Sequence, residues 1–581
     1  MRALALFLSF APALLAQQNP DVFRFVPPAA TAVVRLQGPA AWPAELAATG
    51  IAKVLASKPV GESLDQFLAA AAAAFELDAE ARARLAAVWE KLADHRGEIV
   101  VGAAVDFAGL QPGQWPPTTV SLAIFGDGHT DLEALGKALT ACLPTARAGT
   151  DPVETLPLHG HAVPLHRFGD WAMTEPFPHD GALLVLCGND LAARAEQVLA
   201  PRTEPFVAAP ELSRGVMGVQ LDGKVSIAQL LEAAENAPNR PEVPLATLAE
   251  QGGLLSFERL VYSLFADGKY LGQELALDFG SQPRGAFDVV FPVRDQHPAL
   301  LRLLPAGTAN FQAAQFDLDA LHGLYAQMTA LLGDELPMTR EQIEATFTEY
   351  TKLHLQEDLL ALIGGEYLQI DDFHVQRRED GEAADDPLRE VGEAGSCFLV
   401  HLRNGAQLAK NVEKAVRARG LHAGRKSEDY AGTRIHRLKL LGSLPVEYAF
   451  AGDVFVGAFG GDGPSQLLRR VLDAQVAVTG GAVPAELHRG ILARLDGLPT
   501  DWSGLESGEM VEVVDWVATS FEGIEAGLVG QGMTLADLDG VYHLVPGLLR
   551  ALRGEVLRHG VDVTVTATYS TKRRLSMRSR W

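Results

Sequence analysis

Cysteine is scarce. The 581 residues hold three, Cys142, Cys187 and Cys397. So few exclude a disulfide framework, which a chain of this length does not need to stabilise a core. Cys142 and Cys187 can pair in an oxidising compartment, leaving one thiol over. Cys397, in the apolar run Cys397-Phe398-Leu399-Val400, reads as a buried unpaired thiol. Positive charge is also short: 49 Lys and Arg stand against 73 Asp and Glu, a net charge of −24. That deficit excludes a surface that wraps nucleic acid or coats an anionic membrane, since both need clustered Lys and Arg. Beyond the N-terminus no uncharged apolar run reaches 18 residues, so no transmembrane helix is expected. The 33 prolines and 56 glycines are an ordinary share, which excludes collagen-like sequence. With 48% hydrophobic residues the chain is not a disordered one.

Common catalytic motifs are missing as well. There is no His-Glu-x-x-His, no Gly-x-x-x-x-Gly-Lys-Ser/Thr and no Gly-x-Ser-x-Gly. Gly457-Ala-Phe-Gly460-Gly461-Asp-Gly463 lies between a strand pattern and a helix pattern, but a strand-to-helix turn calls for such residues anyway.

What is present begins with Met1-Arg2, a positive start, followed by the apolar stretch from Ala3 to Ala16 and then polar Gln17-Gln18-Asn19. This reads as a secretory signal peptide over residues 1–16. Fourteen residues rise only ~21 Å as a helix, short of the ~30 Å hydrocarbon core. Gln17 stands where a lipoprotein would need cysteine. An exported protein, periplasmic or extracellular, is expected.

The chain also repeats itself. Glu211-Leu212-Ser213-Arg214-Gly215-Val216 matches Glu486-Leu487-His488-Arg489-Gly490-Ile491, and Leu221-Asp222-Gly223 matches Leu495-Asp496-Gly497. Pro28-Ala29-Ala30-Thr31-Ala32 matches Pro305-Ala306-Gly307-Thr308-Ala309. Gly97-Glu98 matches Gly365-Glu366, and Leu165-His166-Arg167-Phe168 matches Ile435-His436-Arg437-Leu438. The offsets, 268 to 277 residues, are too long for a solenoid repeat. The expectation is an α+β fold of two homologous tandem units, residues 20–295 and 296–581, each mainly antiparallel sheet with packed helices, and the two packed on each other.

Within the first unit, strands are expected at Thr31–Leu36, Glu98–Phe107, Thr118–Phe125, Ala182–Cys187, Gln273–Phe279 and Ala286–Phe291. Helices are expected at Leu64–Phe75, Leu132–Leu143, Leu191–Leu199 and Ile227–Ala237. A further helix follows Asp78, with Leu85, Val88, Trp89 and Leu92 on its inner face. In the second unit, strands are expected at Thr308–Ala313 and Val561–Tyr569. The loop Arg377–Gly395 is acidic and aperiodic and reads as solvated.

The metal candidates are His159, His161 and His166. On an extended chain His159 and His161 project to one face, but no further ligand set completes a shell, and a surface hairpin accounts for the same residues. No catalytic residue and no cofactor follow from the sequence. His166-Arg167 and His436-Arg437 read as structural strand pairs, with Arg set against a carboxylate. Arg214-Gly215 reads as a tight backbone passage with Arg bound to an acid or to carbonyls. Terminal Trp581 resembles the last residue of outer-membrane barrels. Yet Lys572-Arg573-Arg574 and Arg578-Ser579-Arg580 place charge on both faces, where a lipid-facing row should be apolar.

Pro28-Ala29-Ala30-Thr31 and Pro305-Ala306-Gly307-Thr308, each opening a copy, together with the leader, resemble duplicated, secreted bacterial proteins filed as domains of unknown function. That resemblance implies an α+β fold and export, but no activity and no site residue. The functional expectation is an exported, non-enzymatic binding or scaffolding protein with its ligand between the halves. The alternative is an exported hydrolase, metal-assisted at His159 and His161.

Overall fold

The computed structural model describes residues 20–63, 65–66, 79–107, 116–142, 154–189, 191–200, 206–235, 245–281, 284–294, 296–332, 339–373, 394–440, 444–459, 466–481, 487, 489–509, 511, 514, 544–559, 561 and 563–581. The leader 1–16, the core of the helix expected at Leu64–Phe75 and nearly all of the acidic loop lie outside them.

The first eleven strands are β1 (Ala32–Gln37), β2 (Glu98–Val105), β3 (Thr118–Phe125), β4 (Glu154–Leu158), β5 (His161–Phe168), β6 (Trp171–Thr174), β7 (Phe177–His179), β8 (Ala182–Gly188), β9 (Met217–Asp222), β10 (Phe257–Asp267) and β11 (Tyr270–Phe279). The rest are β12 (Phe311–Gln315), β13 (Ile363–Phe373), β14 (Ala394–Leu402), β15 (Lys426–Tyr430), β16 (Thr433–Leu440), β17 (Leu444–Ala451), β18 (Val454–Phe459), β19 (Gly504–Glu509), β20 (Val563–Ser570) and β21 (Arg574–Arg580). Every ladder is antiparallel. They join in one line, β4–β5–β6–β8–β3–β2–β1–β9–β10–β11, then β21–β20–β19–β12–β13–β14–β18–β17–β16–β15, with β7 beside β6 on the edge of β8. Among the described residues β4 and β15 have one partner strand each, so the line has two ends. This is a mixed α+β fold around a large antiparallel sheet.

Alternation explains most strands. In β2, Val100, Gly102 and Ala104 are buried while their neighbours are not, the period of a sheet with one covered face. Helices cover that face. One apolar core gathers Leu184, Leu186, Leu191 and Val198 with Phe25 and Val163. The other gathers Leu368, Leu399, Val456, Leu468, Val471 and Val565. Val54 and Val60, early in the chain, pack with Val556 and Val561, late in it, so the two ends of the sequence share a third cluster.

Several expectations fail for physical reasons. Ala286–Phe291 is not a strand: Ala286–Val290 is a short helix that follows Gly285 at φ +53°. The helix Ala79–Ala93 forms, but Leu85 and Trp89 are exposed while only Val88 and Leu92 of the proposed face pack. β12 starts at Phe311, three residues late. All three cysteines are unpaired.

Tyr569 sits in the second core, its hydroxyl donating to the Pro499 carbonyl at 3.2 Å. Burial pushes its phenol up to about 12, and pushes the Cys397 thiol to about 12 as well. Both folded-state values lie above the unfolded ones. The native state therefore holds these protons longer, and the stability involved is intact at neutral pH and lost as pH rises through the folded values. For Tyr569 this is on the order of 2–3 kcal/mol, lost between about pH 10 and 12. Alkaline unfolding of this core is expected with a late phenolate absorbance step. Tyr569→Phe should remove one late-titrating equivalent; an unchanged titration curve would refute the assignment.

Candidate functional site

The halves of the strand line meet at β11 and β21. Glu274 lies opposite Arg578 and Asp278 opposite Arg574. A strand alternates its faces, so Arg574, Arg578 and Arg580 share one face, and Leu575 and Met577 the other. The sequence reading that spread these charges over both faces is corrected: Lys572 and Arg573 belong to the loop before β21, and the strand alternates cleanly. Glu274 is 1% exposed and is met by Arg214 at 3.0 Å, Arg578 at 3.1 Å and Arg574 at 3.5 Å. Arg574 also reaches Glu211 at 2.7 Å and Asp278 at 3.2 Å, and Arg259 binds Asp278 at 2.6 Å. Opposite charges directly across a ladder stabilise the pairing, and a carboxylate this buried requires them.

Glu211 and Arg214 belong to the repeated motif, so self-comparison marked one wall of this cluster. Arg214 also covers the Phe265 ring at 4.0 Å. Gly215 has a reason other than a special turn: a Cβ there would collide with the Leu264 carbonyl. The second copy of the motif does different work. Arg489 opens the helix Arg489–Leu495, and the Gly490 carbonyl accepts from Arg494 at 3.1 Å. Leu221-Asp222 ends β9 whereas Leu495 ends that helix, so this sequence match does not join equivalent places.

The segment between β11 and Pro298 is pinned by Arg284, 2% exposed. Its Nη1 donates to Ser570 Oγ at 3.1 Å and to the Thr571 carbonyl; its Nη2 donates to the carbonyls of Phe287 at 3.2 Å and Phe291 at 2.6 Å. Asp288 sits 3.0 Å from Nε. Burial lowers the guanidinium pKa and Asp288 opposes that. Beside this clamp opens a cleft of about 570 Å³ between the linker and the β20–β21 loop, lined among others by Arg284, Asp288, Arg294, Asp317, Lys572 and Arg573. Two smaller cavities lie at matching corners. One, about 220 Å³, is lined by Gln37, Arg214 and Phe265; the other, about 60 Å³, by Gln315, Ser503 and the linker residue Phe291.

His159 and His166, the candidates whose side chains are described, have different neighbours. His159 occupies the β4–β5 turn at φ +44°, followed by Gly160 at φ +82°, the two positive values of a tight hairpin. Its ring is 5.6 Å from that of His179. His161 begins β5, and its side chain lies outside the described residues. His166 is buried and its Nε2 is 3.0 Å from Glu175 Oε1. Among the described residues no group of three or more His, Cys, Asp and Glu is arranged to hold a metal. Arg167 binds Glu154 across the ladder at 2.9 Å through two nitrogens, and Arg437 binds Glu447. Counted from the hairpin turns His159-Gly160 and Ala431-Gly432, however, His166 is level with Leu438 and not with His436. The two strands are displaced by two residues relative to the sequence match. Such a slip keeps each side chain on its face, so the pattern survived while the equivalence did not.

No family model matches the chain, and no curated protein matches it. Two solved chains were found, both of TP0453. Crystal form III is 12% identical, covering 45% of this chain and 80% of that chain at a TM-score of 0.22. Crystal form I is 14% identical, covering 45% and 79% at 0.21. Scores of this size carry no inference. Among the described residues no helix is long and apolar enough to cross a membrane.

Proposed function

We propose that the chain is an exported, non-enzymatic binding or scaffolding protein. Its two homologous units, 20–295 and 296–581, pack as an intramolecular pseudo-dimer, with the ligand position in the cleft between them. The observation that carries the reading is the strand line itself. The order outward from β11 is the order outward from β21. The supporting registers agree in detail. The Val26 N–H to Phe23 and Ala30 N–H to Pro27 bonds recur 278 residues on as Leu304 to Leu301 and Thr308 to Pro305. Both turns place a left-handed residue third, Ala29 and Gly307. Val216 N–H to Leu264 recurs as Ser503 N–H to Thr568, and Gly126 to Gly181 as Leu402 to Asp453. Export rests on the Met1–Ala16 pattern.

The cleft lining, four cations and two carboxylates, suits recognition of a charged or polar group. The metal-assisted hydrolase makes the opposite forecast, and metal analysis separates the two. Purified protein is expected to carry no stoichiometric transition metal, and its melting temperature is expected not to move with Zn²⁺ or chelator. A stoichiometric metal lost in His159→Ala would overturn the non-enzymatic reading.

A further inference from the structure

We propose that the cleft between the linker and the β20–β21 loop binds a compact anion carrying two or more negative oxygens, a phosphate or a dicarboxylate. This deepens the reading of the cleft as the ligand position and rests on it.

The volume, about 570 Å³, is that of a small-molecule site. Its charge runs against the chain, which carries −24 overall. Four cations and two carboxylates line it. Arg284 is committed, its N–H groups on carbonyls and Ser570 and its charge beside Asp288. Arg294 and Asp317 stand 3.8 Å apart, both well exposed, a loose pair that an anion can displace. Lys572 and Arg573 have no ion pair or side-chain hydrogen bond among the described residues.

The backbone that presents those two cations is held still. The Phe279 N–H donates to the Arg573 carbonyl at 2.8 Å. Thr571 and Arg574 bond each other across the loop, with the Thr571 N–H donating at 2.7 Å and the Arg574 N–H at 3.0 Å. Arg284 grips the Thr571 carbonyl from below. A fixed platform cuts the ordering cost of binding, and a guanidinium with a neighbouring ammonium suits an oxyanion.

Hairpin closure does not require these residues. The β10–β11 ladder runs to Asp267 and Tyr270, leaving a two-residue turn, Gly268-Lys269. At the matching place Thr571 and Arg574 bond each other, leaving the two residues Lys572-Arg573 as the turn. Two residues close each hairpin, and closure asks for no charge at either position; here both are cations without an ion pair among the described residues.

The test is calorimetric titration of the full chain at pH 7 with inorganic phosphate and, separately, malonate, against chloride at matched ionic strength. Saturable one-site binding is expected for one of them, which identifies the source. In K572E/R573E it should weaken at least tenfold, with the melting temperature in chloride unchanged; K572A/R573A serves if the reversal perturbs folding. Equal affinity in variant and native protein overturns the proposal. A panel of uncharged sugars and aromatic alcohols is run alongside, on native protein and on Val293→Trp, which narrows the cleft. Uncharged binding lost in Val293→Trp, without anion binding, overturns the anion and leaves the cleft as the ligand position. No saturable binding by any probe overturns both.

Discussion

Arg284→Met is expected to lower the stability of the contact between the linker and the end of β20 by about 3–5 kcal/mol, read as an earlier first transition in urea. Four hydrogen bonds from one buried guanidinium hold the linker to the end of β20 and the loop beyond it. Their loss removes the charged donor from the Phe287 and Phe291 carbonyls, which keep only the Phe291 N–H and the Ser570 hydroxyl, and takes the cation away from Asp288; hydrogen bonds from a charged donor are the costly ones to lose. Methionine fills much of the volume, so the loss is mainly polar. Arg284→Lys should recover less than half, because an ammonium cannot make the fork. Gly253, at φ +81°, packs on the backbone of the same residue: a Cβ there would strike the Arg284 carbonyl. A loss under 1 kcal/mol in Arg284→Met would mean that the linker is anchored elsewhere.

Arg574→Ala is expected to cost about 2–4 kcal/mol in the same transition. One side chain serves Glu211, Asp278 and Glu274. Without it Glu274 keeps Arg214 and Arg578, but Asp278 keeps only Arg259 in the cluster and Glu211 loses its ion pair. Because Glu274 is buried, the loss should persist in 0.5 M salt, where exposed pairs are screened. A double-mutant cycle with Asp278→Asn should show coupling above about 0.5 kcal/mol. Additive losses would place the two residues in separate networks.

How much of this was legible follows the same chemistry. β2, β3, β8 and the helix Leu191–Leu199 were read nearly to the residue: β2 alternates, β3 and β8 are apolar runs packed on both faces, and the helix buries Leu191, Ala195, Val198 and Leu199 at its own period. β21 was missed because one of its faces is arginine, which looks solvated until the carboxylates of β11, some 300 positions away, are placed opposite. Ala286–Phe291 has the apolar content of a strand, and only the clamp at Arg284 and the left-handed Gly285 turn it into a helix. The short sequence matches join places that differ in the structure: Leu221-Asp222 ends a strand where Leu495 ends a helix, and His166 is level with Leu438, not His436. Of the candidate site, Arg214 was flagged by the repeat. Lys572 and Arg573 were noticed only as charges, since nothing local says that they end in a loop facing a linker.

The two ends of the strand line have a consequence of their own. A sheet of this width with bare edges would template the addition of further chains. β4 brings Pro157, which has no N–H to offer, and β15 brings Lys426, Glu428 and Asp429, all exposed. Each end thus presents a poor surface for another strand. Growth is confined to the one internal seam already made, and concentrated protein should stay free of fibres despite carrying most of what a fibre nucleus needs.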